Sequence, residues 1–426
     1  MRAYGPFLAI AILIALIFSA FQALDLRDTI PSNDTYQYAR QTLRFLGDSQ
    51  QVAVQDSVSM FCHEIGNSPA LAGELQAEAA QETGKNLDRY SACVYVYRDG
   101  LTPSSPRYIA IFTSRPGYPL LAVPFVAVFG LTSGMWITTM LCVVAASLLV
   151  LALLRVVGCS RAVALAGQAL FLAAPTGYWS SRMLTDGPSL VADLLCLLGA
   201  WWLTQQQIRR GAWVFIAGVV AGFVFRYSTV TMLTLEITLA ALVCIWLIRD
   251  SRHRGMYWLA GLAGGTTVVT QLLSTLLGWP GFSDSLQDTF TNHFERPDVA
   301  DPLNLLLHAN LSLWRAFPNS SSDALLLPAG MLIVAVFLWR RDRVFTVLTV
   351  AVALTGVASV VAHPIASQDD RLIMPSWLLI VLGLPLLAAR RAAQPALPPS
   401  DPPPDGDSRG DQTAAHTAPE PERTAR

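Results

Sequence analysis

Long apolar segments determine what this chain can fold into. Hydrophobic residues make up 53% of the sequence and charged residues only 14%, whereas soluble domains are about 25% charged. A helix needs about 20 apolar residues to cross a bilayer. The sequence therefore predicts an all-α polytopic membrane protein with about ten transmembrane helices. The predicted spans are Gly5–Leu24, Gly134–Leu154, Ala162–Tyr178, Pro188–Gln205, Trp213–Phe225, Thr229–Ile248, Met256–Leu277, Ala324–Leu338, Val344–Ala362 and Ile373–Ala389.

Arginines between the apolar segments predict the orientation. Leu120–Leu131 is too short to span, and we expect it to dip into the membrane surface. The paired arginines then all fall on the cytoplasmic side, as the positive-inside rule requires. These arginines are Arg155 and Arg161, Arg209 and Arg210, Arg249 to Arg254, Arg340 to Arg343, and Arg390 and Arg391.

This orientation divides the chain into six parts. We expect a first transmembrane helix at 1–24, an extracytoplasmic loop with juxtamembrane amphipathic helices at 25–133, and a helix bundle at 134–277. A second extracytoplasmic loop at 278–322, C-terminal transmembrane helices at 323–391 and a disordered cytoplasmic tail at 392–426 follow. Only one lysine, Lys85, accompanies many arginines, alanines and prolines. This bias indicates a GC-rich bacterial genome, and hence the inner membrane as the location.

Within the first loop, local patterns predict two helices, a strand and a possible disulfide. Tyr36, Ala39 and Leu43 recur at helical spacing, so Asp34–Leu46 is predicted to be an amphipathic helix on the membrane surface. Leu71–Gln81 is predicted to be helical, and Cys93–Tyr97 alternates like a strand. Cys62 and Cys93 form a disulfide if the loop is extracytoplasmic, although two cysteines alone give no pattern to check. No cysteines and histidines have the spacing of a zinc site.

Three charged residues near the predicted outer face are candidates for chemistry. Asp34 follows the first span. It either caps the helix after it or accepts a substrate proton. Asp186 begins a span, as a helix cap or as a contact to substrate or metal. Arg226 lies on the side where arginine is disfavoured, which indicates phosphate binding rather than snorkelling to lipid headgroups.

A second arginine completes the predicted phosphate site. Arg371 directly precedes the last span, and a neighbouring aspartate such as Asp370 is expected to hold it. The alternative for this stretch is a solvated turn. Tyr36 is the remaining predicted substrate contact. Asp193 and Glu236 lie within spans, where interhelical hydrogen bonds are their simplest role. The chain has no Walker A, G-x-G-x-x-G or HExxH motif, which argues against ATP hydrolysis and zinc proteolysis.

The order of these features resembles the GT-C superfamily of membrane glycosyltransferases, which includes protein O-mannosyltransferases and aminoarabinose transferases. The matching stretches are Asn33 to Ala39 after the first span, Arg115 to Leu121 through Phe129-Gly130, Asp186-Gly187-Pro188, Gly218 to Gly222 leading to Arg226, and Arg371 to Pro375. Each stretch is short, but they occur in the same order as in the superfamily, and the series spans most of residues 1–391. Two departures stand out. Asn33 occupies the place of the first of two acidic residues in many relatives, and a glycine is inserted between Asp186 and Pro188.

The resemblance implies an inverting transfer of sugar from a polyprenyl-phosphate-linked donor to a glycan, lipid or protein acceptor at the extracytoplasmic membrane face. Asp34 is then the general base, Arg226 and Arg371 bind phosphate, and Asp186 is an auxiliary acidic group. The sequence specifies no cofactor and leaves room for a divalent metal ion, although Asn33 weakens that case. Two alternatives from other classes remain: a transporter or flippase of lipid-linked sugars, and a non-catalytic envelope assembly protein. The net charge of −1 gives no indication of nucleic acid binding.

Overall fold

The computed structural model describes residues 5–25, 32–319 and 323–389, and these residues form helices and connecting turns. The predicted tail at 392–426 lies outside the described residues, as do Arg2, Arg390 and Arg391. The first helix, α1, extends over Gly5–Asp25 and matches the first predicted span. Only 11% of the residues in its most apolar stretch are buried by the rest of the protein. This low share suits a helix at the edge of the bundle that contacts lipid.

The large first loop is a compact group of helices. It contains α2 (Asn33–Leu46), α3 (Gln50–His63), α4 (Pro69–Thr83), α5 (Arg89–Val96) and α6 (Pro106–Thr113). The helices predicted at 34–46 and 71–81 are confirmed as α2 and α4. The strand predicted at 93–97 is wrong, because these residues lie in and just after α5.

Helix α2 differs from its prediction in where it lies. Its first turn is capped by Ser32, whose hydroxyl accepts a hydrogen bond from the Thr35 backbone at 3.2 Å. Asp34 is therefore not the cap. Residues 35–43 are all buried, including Arg40 on the face expected to meet solvent. The helix is thus enclosed between α3 and the helices that follow, and the prediction of a surface helix is wrong.

A disulfide joins Cys62 of α3 to Cys93 of α5 and closes a loop with a sequence separation of 31 residues. Crosslinking a loop of this length restricts the unfolded chain and stabilises the fold by about 3–4 kcal/mol. We expect the double variant Cys62→Ala, Cys93→Ala to lose about that much stability, seen as faster proteolysis of the first loop in detergent.

The control for this prediction is Cys244→Ala, which removes a buried free cysteine. Reductant should accelerate proteolysis of the loop in this variant as it does in the wild type. A peptide map of unreduced protein without a Cys62–Cys93 crosslink would contradict the prediction.

The next helices lead from the loop into the bundle. Helix α7 (Gly117–Phe129) is bent by 75° from α6, and the pair forms either a broken span or a re-entrant segment. The predicted shallow segment at 120–131 agrees with the second arrangement. Helix α8 (Leu131–Val156) is long and apolar enough for a full span, and it is followed by α9 (Arg161–Ala173), α10 (Pro175–Ser180) and α11 (Asp186–Thr204). Helix α11 is the most enclosed candidate span, with 89% of its apolar window buried.

Helix α12 (Ile208–Leu247) is broken at Arg226, whose backbone is not helical. A Cβ built on Gly222 would lie 2.7 Å from the Cβ of Val230, whereas residues eight apart in a straight helix are separated by about 12 Å. The chain therefore reverses direction here. The two halves correspond to the separate spans predicted on either side of Arg226.

Close packing fixes the first half of α12 against α11. A Cβ on Gly199 of α11 would lie 2.4 Å from the backbone nitrogen of Phe215, and one on Gly218 would lie 2.7 Å from Cys196 Sγ. Only glycine permits this approach, which is common between membrane helices. The reversal at Arg226 is thereby held near the start of α11.

The remaining helices complete the bundle. They are α13 (Arg254–Leu276), α14 (Phe282–Phe290), α15 (Pro302–Ala316), α16 (Asp323–Trp339), α17 (Arg343–Ala362), α18 (Asp369–Leu372) and α19 (Trp377–Ala388). Among the described residues, six helices are long and apolar enough to cross a membrane, or seven if α6 and α7 form one span. Three shorter apolar helices coincide with further predicted spans. The polytopic helical architecture is confirmed, and the count of ten remains a prediction.

Candidate functional site

Four charged residues from distant parts of the chain meet at one point. Arg371 donates from Nη1 to Asp34 Oδ2 at 2.7 Å and from Nε to Asp186 Oδ2 at 2.9 Å. Arg226 donates from Nη1 to Asp186 Oδ1 at 3.0 Å. We call Asp34, Asp186, Arg226 and Arg371 the four-charge cluster. Its charges alternate, so each inner member, Arg371 and Asp186, joins two partners of opposite sign.

Each member of the cluster stands where a helix begins or breaks. Asp34 is in the first turn of α2, and Asp186 is the first residue of α11. Arg226 is at the reversal of α12, and Arg371 lies in the short helix α18. The Tyr38 hydroxyl lies 3.3 Å from Thr185 Oγ1 and ties α2 to the residue before Asp186. These anchors leave little freedom in the positions of the two carboxylates.

The members of the cluster differ in access to solvent. Exposed fractions of the side chains are 3% for Asp186, 11% for Arg371, 15% for Arg226 and 23% for Asp34. Burial alone would raise the pKa of Asp34, but the charges of Arg371, Arg115 and Arg226 and the hydrogen bond from Arg371 together outweigh it, and the pKa lies below its usual value. Asp34 is therefore an ionised carboxylate at neutral pH and the most accessible member of the cluster.

Arg115 is a further member of this region that sequence reasoning missed. It lies between α6 and α7, and its charge helps lower the pKa of Asp34. Among the described residues, Nε of Arg115 and Nε of Arg226 are buried without a hydrogen-bond partner. Three guanidinium groups thus face two carboxylates. A net positive site with two buried N–H donors to spare is suited to an anion.

A sequence signal for Arg115 existed. It precedes Pro116-Gly117 at the predicted outer end of an apolar segment, where the positive-inside rule disfavours arginine. The same reasoning selected Arg226. It was not applied to Arg115 because that residue ends a long polar loop, where a charge needs no explanation.

Tyr36 does not join the cluster. Only 1% of it is exposed, and its ring packs in the apolar core around the Cys62–Cys93 disulfide. The guanidinium carbon of Arg40 lies 5.9 Å from the ring centroid. The prediction of Tyr36 as a substrate contact is therefore replaced by a structural role inside the first loop.

Asp370 is adjacent to the cluster in sequence but faces a different space. It lines a cavity of about 460 Å³, whose other walls are apolar and aromatic. Arg371 is held by Asp34 and Asp186, and the predicted contact with Asp370 stays a prediction. Asp369 is buried, and its Oδ1 accepts a hydrogen bond from the Asp370 backbone at 2.8 Å.

A second apolar cavity adjoins the first. It has a volume of about 400 Å³ and shares Ala173, Ala174 and Tyr178 with the cavity beside Asp370. Together the two cavities form a groove between α1, α9 and the start of α19. Its apolar walls are Ile14, Ile17, Phe18, Leu172, Trp179, Phe317, Leu327, Ile373 and Trp377. We call this space the apolar groove.

The cluster does not fit a divalent metal ion as it stands. Arg371 lies between Asp34 and Asp186 and donates to both, so an ion bridging the two carboxylates would have to displace its guanidinium. Within the described ranges, no group of three His, Cys, Asp or Glu side chains has an arrangement suited to a metal.

A second polar group lies against Tyr108 and Asn33, at the start of α2. His293 Nδ1 is 3.0 Å from Asp288 Oδ1, and the His293 ring centroid is 4.8 Å from that of Tyr108. The Asn33 amide donates to the Tyr108 hydroxyl at 3.4 Å. The sequence alone could not bring His293 to this place, because no pattern connects residue 293 with residue 33.

His363 and Glu236 have structural roles. His363 lies between Ser285 and Thr289 of α14, at 2.8 and 3.0 Å, and burial lowers its pKa to about 4. It is therefore neutral at pH 7 and joins the end of α17 to α14. Glu236 accepts a hydrogen bond from Thr355 of α17, which confirms the expected interhelical contact.

Comparison with known proteins does not assign a function to this site. No protein-family model matches the chain, and no curated protein or solved structure is similar to it. The functional inference therefore depends on the cluster, the apolar groove and the chemistry of their residues.

Proposed function

We propose that this chain is a GT-C-like membrane glycosyltransferase that moves a sugar from a polyprenyl-phosphate-linked donor to an acceptor hydroxyl with inversion. The observation that carries the proposal is the four-charge cluster. Asp34, Asp186, Arg226 and Arg371 were selected from separate stretches of sequence, and they are joined by hydrogen bonds of 2.7 to 3.0 Å. Excess arginine beside an accessible carboxylate is what a phosphate leaving group and an acceptor hydroxyl require.

The reaction requires two separate functions from these residues. Asp34 takes the proton from the acceptor hydroxyl, whose oxygen forms a bond to the anomeric carbon of the donor sugar. The bond from that carbon to the phosphate oxygen breaks, and its electron pair stays on the lipid phosphate. The arginines stabilise the negative charge that develops there. Attack from the side opposite the phosphate inverts the anomeric centre.

Asp186 is the positioning residue in this scheme. Both of its oxygens are engaged, one by Arg226 and one by Arg371. These contacts orient both guanidinium groups, and the buried Nε of Arg226 has no hydrogen-bond partner, so it can donate to a phosphate. The unpartnered Nε of Arg115, from the loop between α6 and α7, is a second such donor.

The apolar groove is our candidate for the lipid chain. Asp370 lines it, and the next residue, Arg371, belongs to the cluster. An isoprenoid chain can lie against the apolar walls while its phosphate stays near the polar end. The Cys62–Cys93 disulfide supports an oxidising compartment for the first loop. We therefore propose that the site faces the extracytoplasmic side of a bacterial inner membrane.

Binding of the lipid phosphate is the first test. Purified protein in nanodiscs would be titrated with a short-chain polyprenyl phosphate, comparing wild type with Arg226→Ala and Arg115→Ala. Because each substitution removes a charged donor, we expect the dissociation constant to rise about tenfold or more in each. Arg89→Ala, which removes an exposed arginine of the same loop, is the matched control and should bind like wild type.

The outcomes separate the proposed function from its alternatives. Weakened binding in both variants, followed by sugar transfer from at least one of a panel of lipid-linked donors, supports a glycosyltransferase. Lipid binding with flipping in proteoliposomes but no sugar transfer favours a transporter. If folded wild-type protein does not bind polyprenyl phosphate, the glycosyltransferase proposal fails, and an envelope assembly protein becomes the better interpretation.

A further inference from the structure

Helix α15 (Pro302–Ala316) lies mostly outside the core. Its 15 residues extend about 22 Å, whereas the hydrocarbon core of a bilayer is roughly 30 Å thick. It is not among the six helices that are long and apolar enough to span a membrane. Of its residues, Leu313 alone is buried. The helix is therefore suited to lie along a surface rather than to cross the membrane.

Three exposed leucines form a ridge along α15. Leu303, Leu307 and Leu311 recur at every fourth residue, which places them on one side of a helix. Their exposed fractions are 61%, 59% and 46%. Single exposed leucines are common on protein surfaces, but a row of three is a contiguous apolar patch, and such patches mark interaction sites. We call these three residues the leucine ridge.

A polar strip runs beside the leucine ridge. Asn304, His308 and Arg315 follow one another at spacings of four and seven residues, and all three are exposed. One exposed face of α15 is thus apolar and the next is polar, which is the pattern of a helix that lies in a membrane interface. Leu305, which is 41% exposed, departs from this pattern at the far edge of the polar strip.

A hydrogen bond places α15 at the boundary of the membrane. The Asn310 amide donates to the carbonyl of Val361 at 2.9 Å, and Val361 is the last residue but one of the candidate span α17. The Val361 side chain is 41% exposed, so the exposed apolar surface of α17 extends up to this contact. Asn310 follows Leu303 by seven residues, which is two turns along the same side of α15. The leucine ridge therefore continues the lipid-facing surface of α17.

The C-terminal turn of α15 is fixed to the bundle beside the apolar groove. The Trp314 ring centroid lies 5.1 Å from that of Phe317, and Phe317 lines the groove. Leu313 and Phe317 also belong to the main hydrophobic core. This attachment holds α15 in place at one end, while the leucine ridge stays outside the protein.

We propose that α15 is an interfacial helix whose leucine ridge inserts among the acyl chains of the leaflet on the side of the four-charge cluster. Arg315 and His308 then lie at the level of the headgroups, where the positive charge of Arg315 suits phospholipid phosphate. The bilayer is the occupant that continues a surface already present on α17. A partner protein or a second copy of the chain would need a new interface there.

This placement does not depend on sugar transfer, but it has a consequence for lipid access. Phe317 directly follows α15, so an α15 that lies in the leaflet brings the apolar groove to the level of the acyl chains. An isoprenoid chain could then enter the groove from the leaflet without passing through water.

Fluorescence quenching in proteoliposomes tests the depth of α15. A polarity-sensitive fluorophore would be attached to Leu307→Cys or to His308→Cys, since the four free native cysteines are buried. We expect the Leu307→Cys label to lose most of its emission to lipids with a nitroxide high on the acyl chain, and little to aqueous iodide. The His308→Cys label should be quenched by iodide and by a headgroup nitroxide. Val268→Cys, 58% exposed on α13, is the control for lipid, and Asp99→Cys, 94% exposed, is the control for water.

Each outcome decides for or against the interfacial placement. Iodide quenching at Leu307→Cys as strong as at Asp99→Cys would show that α15 stands in water and would overturn the proposal. A Leu307→Cys label shielded from both iodide and lipid nitroxides would show that protein covers the ridge, which also overturns it. Without a label, the triple variant Leu303→Ser, Leu307→Ser, Leu311→Ser should speed amide hydrogen exchange across α15 in proteoliposomes. Unchanged exchange in that variant would contradict insertion of the ridge.

Discussion

Replacing Asp34 by asparagine should reduce sugar transfer by about 10²- to 10⁴-fold, the range that general acid–base catalysis supplies. Asparagine preserves the shape of the side chain but cannot accept the acceptor's proton. Arg371 keeps its bond to Asp186 in this variant, so the phosphate-binding groups stay in place. Single-turnover transfer and polyprenyl phosphate binding, measured on the same preparation, would separate loss of chemistry from loss of binding.

The matched control for Asp34→Asn is Asp56→Asn, which makes the same change at an exposed position on α3. It should transfer sugar at the wild-type rate. Transfer by Asp34→Asn at more than about a tenth of the wild-type rate would contradict the assignment of Asp34 as general base, because a missing proton acceptor costs at least 10²-fold.

Loss of Arg371 should destabilise the protein more than loss of Arg226, the other arginine of the cluster. Arg371→Ala leaves Asp34 without its ion-pair partner in the cluster and Asp186 with only one of two, in a site where Asp186 is 3% exposed. Removing one partner of a buried ion pair costs about 3–5 kcal/mol. Arg226→Ala should cost less, since Asp186 keeps its bond to Arg371. Thermal unfolding in detergent should therefore give a lower midpoint for Arg371→Ala than for Arg226→Ala.

A double variant separates uncompensated charge from lost packing. Asp186→Asn introduced with Arg371→Ala removes one of the two carboxylates that have lost a partner, so it should recover part of the stability. If the double variant is less stable than Arg371→Ala by the full cost of Asp186→Asn alone, the two residues are not coupled. That result, or a greater loss from Arg226→Ala, would contradict the geometry of the cluster.

The misplaced strand shows where local pattern fails. Cys93–Tyr97 alternates over only five residues, which is too short to distinguish a strand from a helix. Asp88 provides the competing signal, because its carboxylate accepts from the Ser91 backbone at 3.1 Å and caps α5. The disulfide to α3 then fixes that helix in the loop. For so short a segment, the N-cap residue Asp88 is a stronger signal for a helix than the alternation is for a strand.

The surface placement of α2 failed for a different reason. The helix has the predicted apolar face. Ser32 caps its N-terminus, and Gly47, which has a φ of 101°, caps its C-terminus. An amphipathic pattern shows that one face is buried but does not show what covers the other. Here the first-loop helices cover it, and Arg40 is only 9% exposed. Whether a helix lies on lipid or under protein is decided by its neighbours.

The sequence by itself determined the helical membrane architecture and most of the cluster. Apolar length predicts the helices, and a position at the predicted outer end of an apolar segment marks Asp34, Asp186, Arg226 and Arg371 individually. Only the tertiary structure decided that Arg371 joins Asp34 to Asp186, that Tyr36 lies in a separate core, and that the charge of Arg115 acts on Asp34. Residues 34 and 371 are 337 positions apart. Such a contact depends on how the helices pack, and no local propensity or periodicity encodes it.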